Sequence, residues 1–80
     1  ISISMKQYSV QILSMNSPVL IGRFMLIFSR RKIEVINFSY TKLNEEEGNF
    51  SIEFLAEEWM AENIQKQLNR QIDVYETSMI

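Results

Sequence analysis

The sequence contains no cysteine and no histidine. Without cysteine there is no disulfide to staple a small fold and no thiolate nucleophile; without histidine the commonest general base and metal ligand is missing. One proline and two glycines leave few places where the chain is forced to turn, so most of it is free to form strands and helices. An excess of either charge is lacking too, since eight Lys and Arg stand against ten Asp and Glu for a net charge of −2. A nucleic-acid binder would instead carry a basic face that neutralises phosphates. The only cationic run, Arg30-Arg31-Lys32, suits the last turn of a helix, where the macrodipole favours positive charge. The longest apolar run, Phe24 to Phe28, falls far short of the roughly 20 residues of a membrane span, and nothing resembles a signal peptide. The expected location is the cytoplasm, with neither membrane nor nucleic acid as partner.

What is present is one domain of 80 residues. A chain this short buries only about 60 to 65% of its unfolded surface, so association with a second copy or another chain is expected to complete it. Met5 is a candidate start, which would set residues 1–4 apart as an N-terminal extension unless they lengthen the first strand; 5–77 are expected to form the domain and 78–80 a tail.

From Met5 to Ser14 polar and apolar residues alternate, Tyr8, Val10 and Ile12 on one face and Gln7, Ser9 and Gln11 on the other, predicting a half-buried strand. Asn16-Ser17-Pro18 ends it. Pro18 suits the first turn of a helix, where its missing N–H costs nothing, and Asn16 or Ser17 is the expected cap. That helix, about 18–31, buries Leu20, Phe24, Ile27 and Phe28; Ile21 and Met25 lie one residue round and widen the apolar arc toward a partner. A second strand alternates over Ile36, Phe38 and Tyr40, with Val35 out of register at a bulge or a late start. Residues 43–49 form a polar connection with Gly and Asn where a hairpin needs them. Phe50, Ile52 and Phe54 define a third strand, Glu57 to Arg70 a second helix with Met60, Ile64 and Leu68 as its stripe, and Ile72 to Thr77 a last strand. The order βαββαβ predicts an α+β, ferredoxin-like fold: a four-stranded antiparallel sheet, two helices on one face, and an edge strand open to pairing.

Two runs resemble a known family. Asn16-Ser17-Pro18, followed by an apolar helix ending Phe28-Ser29-Arg30-Arg31, is similar to the turn and helix end of ACT domains in the small regulatory subunit of acetolactate (acetohydroxyacid) synthase. Gln67-Leu68-Asn69-Arg70-Gln71-Ile72-Asp73-Val74 is similar to the Leu-Asn-Lys-Leu and Asp-Val run near the family's ACT C-terminus. With the element order the likeness spans 6 to about 77, the short single-ACT type.

The resemblance implies a non-catalytic subunit that binds and activates a large subunit in branched-chain amino acid biosynthesis. Thiamine diphosphate, Mg²⁺ and FAD would sit on that catalytic partner, with none held here. It also implies a homodimer paired side by side through the second strand, carrying Ile36 and Phe38, and the first helix, carrying Ile21 and Met25, to give an eight-stranded sheet. A branched-chain effector would lie between Asn16, Pro18, Val19 and Leu20 of one copy and Glu34 and Val35 of the other. Val19 stands where ligand-binding members have Gly, and Glu34 where Asn is common. A β-branched side chain blocks close approach of a carboxylate and an added carboxylate repels it, so weak or absent valine binding is expected.

The alternative is an amino-acid-sensing ACT module that regulates another metabolic enzyme. An RNA-binding module is a poor match because Glu53 sits among the aromatics of the third strand. An acylphosphatase-like site would need Arg23 and Asn37 together with a glycine-rich loop that is missing. Consecutive Glu45-Glu46-Glu47 reads as a solvated loop, since metal loops interleave their ligands, and Glu57-Glu58 as helix-start charge. Trp59 is either a core anchor or an interface residue, and Asn69 and Arg70 are placed to cap the second helix.

Overall fold

The computed structural model describes residues 4–80, so all of the expected extension but Ser4 lies outside the described residues. The elements are β1 (Lys6–Met15), α1 (Val19–Arg30), β2 (Glu34–Lys42), β3 (Glu47–Ala56), α2 (Glu58–Asn69) and β4 (Val74–Met79). They form one antiparallel sheet in the order β2-β3-β1-β4. Both helices cover the same face, α1 beside β2 and α2 over β4 and β1. The fold is the ferredoxin-like βαββαβ arrangement that the alternation and the crossover rule predict.

β3 lies in the middle of the core. Its inward residues Gly48, Phe50, Ile52, Phe54 and Ala56 are all buried, while its outward ones are only half-buried. α1 is fastened to it by edge-on aromatic contacts, Phe24 on Phe50 with centroids 4.8 Å apart and Phe28 on Phe54 at 5.0 Å. Such pairs contribute about 0.5–1.5 kcal/mol beyond the area they bury. The buried residues of α1 are Leu20, Phe24, Ile27 and Phe28, the set its 3.6-residue period selects. α1 stops at Lys32, whose φ of 54° is left-handed, with the Ile33 N–H returning to the Phe28 carbonyl at 3.2 Å in a Schellman-type turn.

Several local expectations are corrected. The bulge in β2 falls on Ile36, not Val35: Val35 pairs with Phe54 and Asn37 with Glu53, so Val35 joins Phe38 and Tyr40 on the core side and Ile36 turns outward, 46% exposed. Gly48 and Asn49 belong to β3 rather than to the turn. The turn is built by Asn44, whose side-chain oxygen accepts the Glu46 and Glu47 N–H groups, both at 2.8 Å, as short polar side chains do when they mimic a backbone turn. In α2, Ala61 replaces Met60 as a buried residue beside Ile64 and Leu68. β4 starts later than the pattern places it and carries on through Ser78 and Met79, and the Ile80 N–H donates to the Ser9 carbonyl at 2.8 Å. The last residues thus continue the ladder on β1.

Gly48 is needed for space. An added Cβ would lie 2.5 Å from the Tyr40 ring, which itself packs on Phe50 at 4.6 Å. Gly48→Ala is expected to cost about 1–3 kcal/mol by overpacking, and much less in a Tyr40→Ala background, where the ring is gone. Denaturant unfolding of the four variants of this cycle measures the coupling. Equal costs in both backgrounds would refute the steric account.

Candidate functional site

The first turn of α1 is held from three directions. The Met15 N–H donates to the Asp73 carbonyl ahead of β4 at 2.8 Å, and the Asn16 N–H to the Glu46 carbonyl in the β2–β3 loop at 3.0 Å. From β2, the Tyr40 hydroxyl donates to the Asn16 side-chain oxygen. Asn16 therefore ties the turn to β2 and does not cap α1, and Ser17 does not either: Pro18 occupies the N-cap in helical geometry, φ −61° and ψ −24°, with no side-chain cap. Only local backbone bonds open the helix, Leu20 N–H to Ser17 carbonyl at 3.1 Å and Ile21 N–H to Pro18 carbonyl at 3.2 Å. Sequence reasoning missed Tyr40 as a site residue, because its partner lies 24 residues away and no local pattern signals the contact.

The residues named for an effector do not all converge within one chain. Asn16, Pro18 and Val19 share the turn, with Pro18 exposed and Val19 68% exposed. Leu20 is fully buried, so its side chain belongs to the core and is not presented to a ligand. Glu34 and Val35 begin β2 at the end away from Tyr40, roughly 20 Å along a strand of that length. Glu34 is exposed, and Val35 packs toward the core.

Of the residues named for an interface, three are open to solvent: Ile21 at 39%, Met25 at 37% and Ile36. Phe38 instead turns onto Phe50, centroids 5.7 Å apart, and is half-buried. The side on which Ile21 and Met25 lie follows from Arg23. Its guanidinium donates to the Asp73 carboxylate at 3.0 Å, on the β4 side of α1. Helical geometry places Ile21 and Met25 on the opposite flank, toward the unpaired edge of β2.

Most of the remaining candidates have structural partners. Arg23 is taken by Asp73, and Asn37 sits opposite Glu53 on the helix-free face of the sheet, so the pair cannot cradle one phosphate. Glu45 pairs with Lys42 at 3.1 Å, and Glu47 accepts from the Asn44 side chain at 2.9 Å. Among the described residues no group of three or more Asp and Glu is placed to hold a metal ion. Trp59 is not a core anchor: it is 58% exposed on α2. Asn69 does not cap α2 but accepts from the Thr77 hydroxyl at 2.8 Å, and Gln71 reaches back to the Gln67 carbonyl at 3.3 Å. Among the described residues no helix is long and apolar enough to cross a membrane.

The two runs that carry the family resemblance meet in space. Arg31, at the end of the first, donates to the Ile27 carbonyl at 3.4 Å and to the side-chain oxygen of Gln67, which opens the second. Asp73, near the end of the second, holds Arg23.

No protein-family model matches this sequence, and no curated protein matches it. Solved structures do match in fold. The ACT domain of GTP pyrophosphokinase from Chlorobium tepidum superposes with a TM-score of 0.79 at 5% identity, over 95% of this chain and 86% of that one. The C-terminal domain of the MgtC protein from Mycobacterium tuberculosis gives 0.78 at 12% identity, over 100% and 90%. The acetolactate synthase small subunit from Thermotoga maritima gives 0.79 at 17% identity, over 92% of this chain and 47% of that subunit. This chain thus corresponds to about half the length of that subunit. At such identities the likeness is one of fold, and the fold is that of ACT domains.

Proposed function

We propose that this chain is a non-catalytic regulatory subunit that binds and activates the catalytic subunit of acetolactate synthase, acting in the cytoplasm in branched-chain amino acid biosynthesis. The observation that carries the reading is the meeting of the two resemblance-bearing runs through Arg31 and Gln67. Arg31 is alike in type to the Arg that ends the family's first helix, and Gln67 adjoins the Leu68-Asn69-Arg70 stretch that resembles the family's, so two runs far apart in sequence are joined at one place on a fold the synthase small subunit shares. Thiamine diphosphate, Mg²⁺ and FAD belong on this reading to the catalytic partner.

The regulatory unit is a homodimer. Ile21, Met25 and Ile36 form an exposed apolar margin along the β2 edge, and an unpaired edge flanked by apolar side chains favours strand addition by a second copy. Antiparallel pairing of the two β2 edges would carry Glu34 and Val35 of one copy toward the Tyr40 end of the other, and so toward its Asn16 turn. Valine binding there is weak or absent in this reading. Val19 stands where a carboxylate would need close backbone approach, Glu34 adds a like charge, and the Asn16 side-chain oxygen is already bonded to Tyr40.

The second reading, an amino-acid-sensing ACT module attached to another enzyme, is favoured by the likeness to the GTP pyrophosphokinase ACT domain over nearly its full length.

Mixing the purified chain with the acetolactate synthase catalytic subunit from the same source should raise the rate of acetolactate formation severalfold, and the two should co-elute. Unchanged rate and separate elution would refute the assignment. Calorimetry with valine should show no binding tighter than millimolar, and a micromolar dissociation constant would overturn the account of the turn. Ile21→Asp with Met25→Asp should convert a dimer to a monomer in sedimentation without loss of helical circular dichroism. A dimer of unchanged mass would place the interface elsewhere.

A further inference from the structure

The outer face of α2 and the end of α1 enclose a groove of about 650 Å³, with Trp59 at one end and Arg31, Lys66 and Arg70 along its length. We propose that this groove is the docking site for the catalytic partner, and that its occupant is a segment of that partner pairing carboxylates with an apolar or aromatic side chain. The proposal rests on the regulatory-subunit reading above.

Charge is the first argument for this occupant. The chain as a whole is acidic, yet the groove gathers three cations against the single carboxylate of Glu62. Arg31 is committed to the Ile27 carbonyl and Gln67, whereas Lys66 and Arg70 are exposed and make no ion pair among the described residues. Lys66 and Arg70, cations at the end of α2 without ion-pair partners among the described residues, complement carboxylates brought from outside.

Trp59 supplies the second argument. An indole more than half exposed leaves a large apolar surface in water, and aromatic residues ringed by polar ones are the usual anchors of interfaces. In α2 its helical neighbours one, two and three turns on include Asn63, Lys66 and Arg70, so the ring and the cations share one stripe. Gln65 and Asn69 lie round toward β4, where both bond Thr77, while Glu57, Glu58 and Glu62 line a second hollow on the other side of the ring, so the cations lie on one side of Trp59 alone.

Location supplies the third. The groove walls Arg31, Gln67, Arg70 and Gln71 come from the two runs that resemble the synthase subunit. The groove is also on the α2 side of the helical layer, away from the Ile21 and Met25 flank, so a homodimer through β2 leaves it open in both copies.

The test measures binding of the full chain to the acetolactate synthase catalytic subunit by interferometry, alongside sedimentation and thermal unfolding. Trp59→Ala and the double reversal Lys66→Glu with Arg70→Glu should each weaken binding at least tenfold. The melting temperature and self-association should stay as in wild type, because these side chains are exposed. Wild-type binding should also weaken as salt rises, and less steeply in the double reversal. Binding within twofold of wild type in both variants overturns the proposal while leaving the regulatory assignment intact. So does weakened binding accompanied by loss of the dimer, which would place the face in self-association. A wild-type chain that binds no such subunit overturns the assignment, and the occupant named here with it.

Discussion

Two aromatic pairs, Phe24 with Phe50 and Phe28 with Phe54, set the rotation of α1 on the sheet. The helix positions are one turn apart and the strand positions share the inward face, so only one rotation satisfies both. Once it is fixed, the other faces of α1 follow. Arg23 is carried to the β4 side, where Asp73 meets it, and Ile21 and Met25 are carried to the β2 side, where each stays more than a third exposed. The ion pair is partly solvated, with side chains 38% and 25% exposed, and contributes little to stability beside the aromatic contacts. It reports the rotation; the phenylalanines impose it.

Elements with a strong period were legible in the sequence, and contacts between elements were not. The alternation through Phe50, Ile52 and Phe54 and the 3.6-residue spacing of Leu20, Phe24, Ile27 and Phe28 each arise from burial of one face, which composition records directly. A bulge or a late start was expected at Val35, and the bulge falls on Ile36 instead, because both residues are β-branched and apolar and only the pairing with Phe54 decides which faces inward. Gly48 was mistaken for a turn residue because its real requirement, room for the Tyr40 ring, comes from a neighbouring strand. Asn16 was expected to cap α1 for the same reason. Caps are local and visible, whereas the Tyr40 hydroxyl reaches Asn16 only after β2 and β3 have paired.

The contact between Asn16 and Tyr40 changes what the turn can do. A ligand that sought the Asn16 oxygen would have to displace a phenol already bonded to it, exchanging one hydrogen bond for another. The net gain from such an exchange is near zero, against about 0.5–1.5 kcal/mol for a typical net hydrogen bond formed in folding. The turn is also anchored through its backbone to Glu46 and Asp73, so it cannot easily open. A site already satisfied by its own chain is better suited to hold a fixed conformation than to report a metabolite. That physical reason is independent of Val19 and points the same way.

The distribution of exposed side chains divides the surface by chemistry. The helix-free face of the sheet is polar and internally bonded, with Gln11 donating to Ser51 at 2.7 Å, Asn49 to Gln11 at 3.2 Å and Gln7 to Glu53 at 3.0 Å. Groups satisfied in this way have little to gain from a partner. The β2 margin is apolar, and its backbone edge is open; the α2 groove is cationic around one indole. These last two surfaces differ in what they would recognise, the first an apolar strand edge like itself and the second a carboxylate-bearing segment of a different chain. Self-complementarity is a property of the first alone, since the groove's three cations would repel their own copy. On opposite sides of one helical layer the domain therefore carries one surface whose chemistry is self-complementary and one whose chemistry is not.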